Sequence, residues 1–178
     1  MGRASRLFIG IPIPERISRM LYQCDPEIKG LRWLFPSVHH ITLCFIGETE
    51  MDPEGEVLPV LHHHASQTPP FSLSFEGLVL APRKQPYMVW ARFHSHPLFQ
   101  RLHDGLFKNF IPQKAPPPQA RPHITLARAK RGKKLHKEEL PPDPELEELR
   151  VEEAVLWSSE LKPDGARYHG LGKAELQG

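Results

Sequence analysis

The tetrapeptide His-Ile-Thr-Leu occurs twice, at His40-Ile41-Thr42-Leu43 and again 83 positions later at His123-Ile124-Thr125-Leu126. Threonine is scarce in this chain, with four in 178 residues against eleven histidines. Chance would supply about 0.25 His-x-Thr pairs, so two copies with matching neighbours mark internal repetition and suggest two related half-units. In a strand, residues i and i+2 point to the same face. His40 and Thr42 therefore share one face, as do His123 and Thr125. Ile41, Leu43, Ile124 and Leu126 point the other way and can anchor a core. A pseudo-twofold relation between the halves would bring the polar faces together across a cleft lined by two imidazoles and two hydroxyls.

That set suits phosphate-ester chemistry without a metal. A histidine near neutral pKa serves as base or acid, and two can take opposite roles in one turnover. One removes a proton from water while the other protonates the leaving oxygen. The threonine hydroxyls donate to non-bridging phosphate oxygens, where negative charge develops. A single His-x-Thr on a strand is ordinarily half-buried structure; the duplication is what points to catalysis.

The rest of the chain predicts an α+β fold. Leu7 to Ile11 reads as a buried strand, and Pro14 opens a helix carrying Ile17, Met20, Leu21 and Cys24 on one face. Val38 to Ile46 reads as a strand ending at Gly47. Residues 53–66 read as a helix that Pro59 kinks or shortens. Phe71, Leu73 and Phe75 alternate with serines as a strand, and Tyr87 to Phe93 is another beyond the turn Pro82–Pro86. Pro97 opens a helix with Leu98, Leu102, Leu106 and Phe110 spaced by four. Pro112 to Pro122 is an extended loop before the strand His123 to Ala127. Val151 to Trp157 and Ala166 to Leu171 form a final hairpin around Pro163-Asp164-Gly165. Several adjacent strand pairs favour α+β over a doubly wound parallel sheet. No Gly-rich phosphate loop is present.

A chain of 178 residues suggests one domain, spanning residues 1–178 here, and needs no disulfide or metal staple. The formal net charge of +2 gives little support to an extended DNA-coating protein. Cys24 and Cys44 form no CxxC pair and read as free thiols. The first apolar run breaks at Pro12, too short for a signal-peptide core, and no stretch approaches a transmembrane span. A soluble cytoplasmic monomer is expected, with no membrane partner.

The stretches RLFIGIPIPE, RW followed by HHITLCFIGE, RPHITLAR and LKPDGARYHGL resemble the two-histidine phosphoesterases. Within them, they resemble the RNA 2′,3′-cyclic phosphodiesterases, also called 2′-5′ RNA ligases. The resemblance spans nearly the whole chain. It implies a bilobal fold, with two pseudo-symmetric antiparallel-sheet lobes, helices outside and a central cleft. It implies hydrolysis of an RNA-terminal 2′,3′-cyclic phosphate to a 2′-phosphate with no metal and no cofactor, with RNA as partner. Carried over by motif, His40 and His123 are catalytic, and Thr42 and Thr125 bind the phosphate. We assign His123 to activate water and His40 to protonate the departing ribose 3′-oxygen, although identical motifs do not rank the two. His39, at a position expected to be apolar, points away from the cleft by alternation.

Between Arg121 and Lys137 stand seven cations and no acid, a run fit to hold RNA phosphates. Arg128 is its best candidate for the substrate site, although its parity is wrong for the face of His123 unless the strand has ended. Residues 138–153 reverse the sign and read as solvated helix and loop. Trp33, Phe35, Phe45, Tyr87 and Trp90 are candidates for base stacking, Trp33 foremost because its surroundings look loop-like. His62-His63-His64 invites a metal, but consecutive helical residues diverge and no other ligand completes a set. Other readings are ligation of tRNA halves through a 2′-5′ linkage, a small cyclic nucleotide substrate, an RNA-binding module without turnover, and a zinc hydrolase.

Overall fold

A computed structural model describes residues 5–146, 148–162 and 165–178. In chain order the elements are β1 (Ser5–Pro12), α1 (Glu15–Tyr22), β2 (Leu31–Trp33), β3 (His40–Thr49), α2 (Leu58–Ser66) and β4 (Phe71–Leu73). They continue as β5 (Phe75–Ala81), β6 (Met88–Phe93), α3 (Pro97–Phe110), β7 (His123–Ala129), β8 (Leu149–Val151), β9 (Glu153–Lys162) and β10 (Gly165–Glu175). The class is α+β, as expected.

Seven strands run antiparallel in the order β10-β9-β1-β3-β7-β6-β5, and β2 adds to the far end of β7. The two motif strands sit at the centre and meet at one residue pair, Ile41 with Ile124. Each then takes its own outer neighbour, β1 beside β3 and β6 beside β7. The halves are thus antiparallel arrays hinged on that pair. Ile41, Leu43, Ile124 and Leu126 are all fully buried in one core with Leu61, Leu102 and Leu106 of α2 and α3. The helices lie on that side and leave the opposite side of the motif strands to the cleft. No helix among the described residues is long and apolar enough to cross a membrane.

The helices depart from expectation for local reasons. Regular α2 begins at Leu58, so Pro59 falls in its first turn, where a missing amide costs nothing. Residues 53–57 form a wider turn before it, capped by the Asp52 carboxylate accepting from Glu54 N and Gly55 N. Of the two expected outcomes, the regular helix is shortened and not kinked at Pro59. On α3 the fully buried residues are Phe99, Leu102 and Leu106, while Leu98 and Phe110 are only partly covered. A four-residue spacing drifts about 40° per step around a helix of 3.6 residues per turn, so the ends of such a row leave the core face. Cys24 lies beyond the end of α1.

The expected strand through Phe71, Leu73 and Phe75 divides at Ser74. β4 pairs with β8 in a small second sheet, and β5 joins the main one. Among its described residues, the acidic segment 138–153, expected to be solvated helix and loop, contributes a 3₁₀ turn at Lys137–Glu139, β8 and the first residue of β9. Of the hairpin turn 163–165, Pro163 and Asp164 lie outside the described residues.

Candidate active site

The Ile41–Ile124 pair turns both isoleucines into the core, so both His-x-Thr faces turn to the other side. Extending that antiparallel register by one residue sets His40 across from Thr125 and Thr42 across from His123. All four line one cleft of about 770 Å³.

Each motif strand carries a bulge at the same place. Ile9 pairs with Cys44 and Gly10 with Thr42, leaving Leu43 extra. Val89 pairs with Ala127 and Trp90 with Thr125, leaving Leu126 extra. A bulge inserts one residue and resets which side the following residues face. Leu43 and Cys44 are consequently both buried, as are Leu126 and Ala127. Phe45 and Arg128 swing back to the cleft. The parity objection to Arg128 therefore fails, although the strand runs on to Ala129. The bulge, not a strand end, brings the guanidinium beside the histidines. Phe45 occupies the equivalent place in the first half.

The imidazoles are held in one tautomer. His40 Nδ1 lies 2.9 Å from the Val38 carbonyl oxygen, and His123 Nδ1 lies 2.8 Å from that of Arg121. A carbonyl only accepts, so each Nδ1 carries a hydrogen and each neutral Nε2 offers a lone pair. His40 Nε2 accepts from the Thr42 hydroxyl at 3.1 Å. Burial pushes the His40 pKa down to about 4, against the carbonyl bond that favours the cation, with the charges of His123 and Arg128 adding to the depression. His123 is lowered too, by burial first and then by Arg128.

The two rings sit in different aromatic surroundings. Trp90 stacks on His123 at 3.8 Å between centroids, 22° from parallel. The place on β1 equivalent to Trp90 is Gly10. A Cβ there would stand 2.6 Å from the Ile41 carbonyl oxygen and 3.2 Å from the ring of Trp157. Trp157 reaches over from β9 and stacks on Phe8, which lies 4.8 Å from His40. Tyr168 meets the His40 ring edge-on at 5.2 Å. Burial raises the phenol pKa of Tyr168, partly offset by Arg128 and Arg6.

The five aromatic candidates separate. Trp33 is a core residue on β2, 6% exposed, with its indole N–H donating to the Leu21 carbonyl, so it is not a stacking surface. Its loop-like surroundings conceal a three-residue strand that pairs with β7. Trp90 serves His123. Phe35 and Phe45 remain exposed on the cleft wall, at 61% and 46%. Tyr87 is exposed in an adjoining groove.

Beside Lys130, which belongs to the basic run noted above, other groups carry no motif of their own in the sequence. Arg6, Arg32, Lys130, Arg167 and Tyr168 also line the cleft. Arg6 and Phe8 alternate along β1, and that spacing was a usable signal. The guanidinium of Arg6 lies 4.9 Å over the Phe45 ring, a cation–π contact. His39 is buried, with Nε2 3.2 Å from the Leu34 carbonyl oxygen, and does not line the cleft. The His62-His63-His64 run splits: His64 meets Asn109 on α3, while His62 and His63 are exposed. Among the described residues, no three His, Cys, Asp or Glu side chains converge as metal ligands.

Comparison with known proteins bears on the family and the fold. The 2′-5′ RNA ligase superfamily matches residues 32–163. An RNA 2′,3′-cyclic phosphodiesterase of Thermus thermophilus is 31% identical over 97% of this chain and 91% of its own. One from Bacillus subtilis is 32% identical over 68% and 69%. A Thermus thermophilus crystal structure superposes with a TM-score of 0.82 at 29% identity, covering 97% of this chain and 98% of that one. E. coli LigT shares the fold at a TM-score of 0.79 and 22% identity, covering 99% and 100%. The duplicated motif, the paired bulges and a match across most of the chain place this protein in the 2′-5′ RNA ligase superfamily.

Proposed function

We propose that this protein hydrolyses the 2′,3′-cyclic phosphate at an RNA end to a 2′-phosphate, using the two histidines and no metal. The observation that carries the reading is the pair of Nε2 atoms, each left available by an Nδ1–carbonyl bond, in a cleft lined with arginines. The relatives named as RNA 2′,3′-cyclic phosphodiesterases supply the substrate class.

In the reaction, His123 Nε2 takes a proton from water as the water oxygen bonds to phosphorus. The bond from phosphorus to the 3′-oxygen breaks, and that oxygen takes the proton from His40 Nε2. A 2′-phosphomonoester and a free 3′-hydroxyl result. His123 then releases its proton and His40 regains one from solvent. The indole face over His123 favours the cation that forms there. Once His40 Nε2 holds a proton it no longer accepts from Thr42. That hydroxyl then turns to a non-bridging phosphate oxygen, joined by Thr125 and Arg128.

A short RNA ending in a 2′,3′-cyclic phosphate, incubated with the protein in excess chelator, tests this. The expected product carries a terminal 2′-phosphate. A 3′-phosphate product, or chelator-sensitive turnover, would refute the proposed bond cleavage or its metal independence respectively. A joined product bearing a 2′-5′ linkage would show a ribose 5′-hydroxyl replacing water at the same phosphorus.

A further inference from the structure

Beside the cleft runs a second groove of about 530 Å³, floored by Gln85, Pro86 and Tyr87 and walled by residues 129–134. Ala129 and Lys130 line both spaces, so the groove continues the cleft. Its wall is an ordered loop, not a loose tail. Lys130 N donates to the Gly30 carbonyl, Lys133 N to that of Lys130, and Leu135 N to that of Pro86. Gly132 turns the chain at a φ of 87°, and buried Leu135 pins its far end. Lys133 is committed to Glu139 at 3.0 Å and to the Lys29 carbonyl. Lys130, Arg131 and Lys134 have no carboxylate partner among the described residues. Tyr87, 45% exposed, lies on the floor among these cations, and its carbonyl accepts from Ala129 N.

We propose that this groove holds the nucleotide preceding the one in the cleft, its base on the Tyr87 ring and its phosphate between Arg131 and Lys134. The inference rests on the cyclic-phosphate reading of the cleft and extends it to a polynucleotide substrate. An exposed aromatic ring set among unpaired cations is the combination that binds single strands, because every base has a stackable face and every linkage a charge. Arg128 stands on β7, which ends at Ala129, and Lys130, Arg131 and Lys134 follow on the loop that continues from it, so the cations lead on from the catalytic face. A strand entering here therefore keeps its terminal cyclic phosphate at the histidines.

The test uses the full chain and two substrates, a 2′,3′-cyclic mononucleotide and a hexanucleotide with the same end. Tyr87→Ala should lower kcat/KM for the hexamer about 5- to 150-fold. Arg131→Ala with Lys134→Ala should flatten its dependence on log salt by about 1.4, the share of two single-strand phosphate contacts. Both variants should leave the mononucleotide rate unchanged. Equal losses on both substrates, or no loss on the hexamer, would overturn the proposal. Binding of a labelled hexamer already ending in a 2′-phosphate separates this inference from the reaction. Weaker binding by the variants sustains the groove even if turnover is absent, and unchanged binding refutes it even if turnover is normal. A hexamer with an abasic penultimate residue should bind wild type as weakly as the intact hexamer binds Tyr87→Ala. Equal binding of abasic and intact RNA by wild type would instead point to an anionic partner without bases.

Discussion

Titrating the catalytic rate between pH 5 and 9 probes the paired imidazoles directly, because burial has moved both away from ordinary histidine. His40 stands at about 4, and His123 is lowered as well. Turnover as proposed needs one proton on the pair. In the free enzyme above pH 6.5 that proton is mostly gone, so kcat/KM should fall tenfold per pH unit, about 100-fold between pH 6.5 and 8.5. A proton on His40 costs about 3 kcal/mol more than on a histidine in water. The bound substrate changes this. A singly charged phosphate about 4 Å from the imidazole returns about 4 kcal/mol at an effective dielectric of about 20. That offsets the burial cost, so in the complex the acid regains a pKa in the usual histidine range or above it.

The two rate constants should therefore separate. The alkaline limb of kcat, which reports the complex, should lie about two to three pH units above that of kcat/KM, which reports the free enzyme. The assay is initial-rate kinetics on a 2′,3′-cyclic phosphate substrate in constant-ionic-strength buffers, with folding checked at each end of the range. A kcat/KM that stays flat from pH 6.5 to 8.5 would refute the assignment of both histidines to proton transfer. Coincident alkaline limbs would refute the claim that substrate charge restores the acid. The apparent values belong to the pair and not to either ring alone.

Arg128→Gln removes a cation that depresses both imidazoles and that lines the cleft proposed to take the phosphate. It should lower kcat/KM about 10- to 100-fold while shifting its alkaline limb upward; an unshifted limb would separate Arg128 from the histidines. Gly10→Ala drives a Cβ to 2.6 Å from the Ile41 carbonyl oxygen, so the strand bearing His40 must move. Urea unfolding should show a loss of about 1–3 kcal/mol together with reduced kcat, and unchanged stability would contradict the close approach. His39 is held near pKa 4 chiefly by burial, and its Nδ1 is buried without a partner. Because its folded pKa is depressed, the stability it contributes is present above pH 6.5 and lost as pH falls toward 4. His39→Leu should shrink the drop in urea midpoint between those pH values while turnover stays at the wild-type rate.

What the residues disclosed in advance was the part governed by local periodicity. The i, i+2 spacing within each motif placed His40 with Thr42 and His123 with Thr125, and it kept His39 off the cleft. Alternation also misled, because a bulge leaves no mark in composition. Leu43 and Leu126 look like ordinary strand residues, yet each is the extra one, and together they decide that Phe45 and Arg128 face the cleft. The short strands β2 and β8 leave little trace in the sequence for a similar reason. β2 and β8 exist through pairing with β7 and β4, which are remote in sequence, and too few residues carry the pattern. Trp33 was misjudged on that account. The tryptophan at each histidine arrives differently, Trp90 from an adjacent strand and Trp157 across Gly10. Such asymmetry between identical motifs depends on tertiary neighbours, which a repeat in sequence does not encode.

The division of labour between His40 and His123 is tested most directly by replacing the leaving oxygen. A cyclic substrate with sulfur at the 3′ bridging position leaves as a thiolate and needs little help from an acid. His40→Ala should be impaired about 10²–10⁴-fold on the oxygen substrate and largely restored on the sulfur one. His123→Ala should be impaired on both, since water still needs a base. Rescue of His123→Ala instead would reverse the two roles, and rescue of neither variant would contradict acid catalysis by this pair.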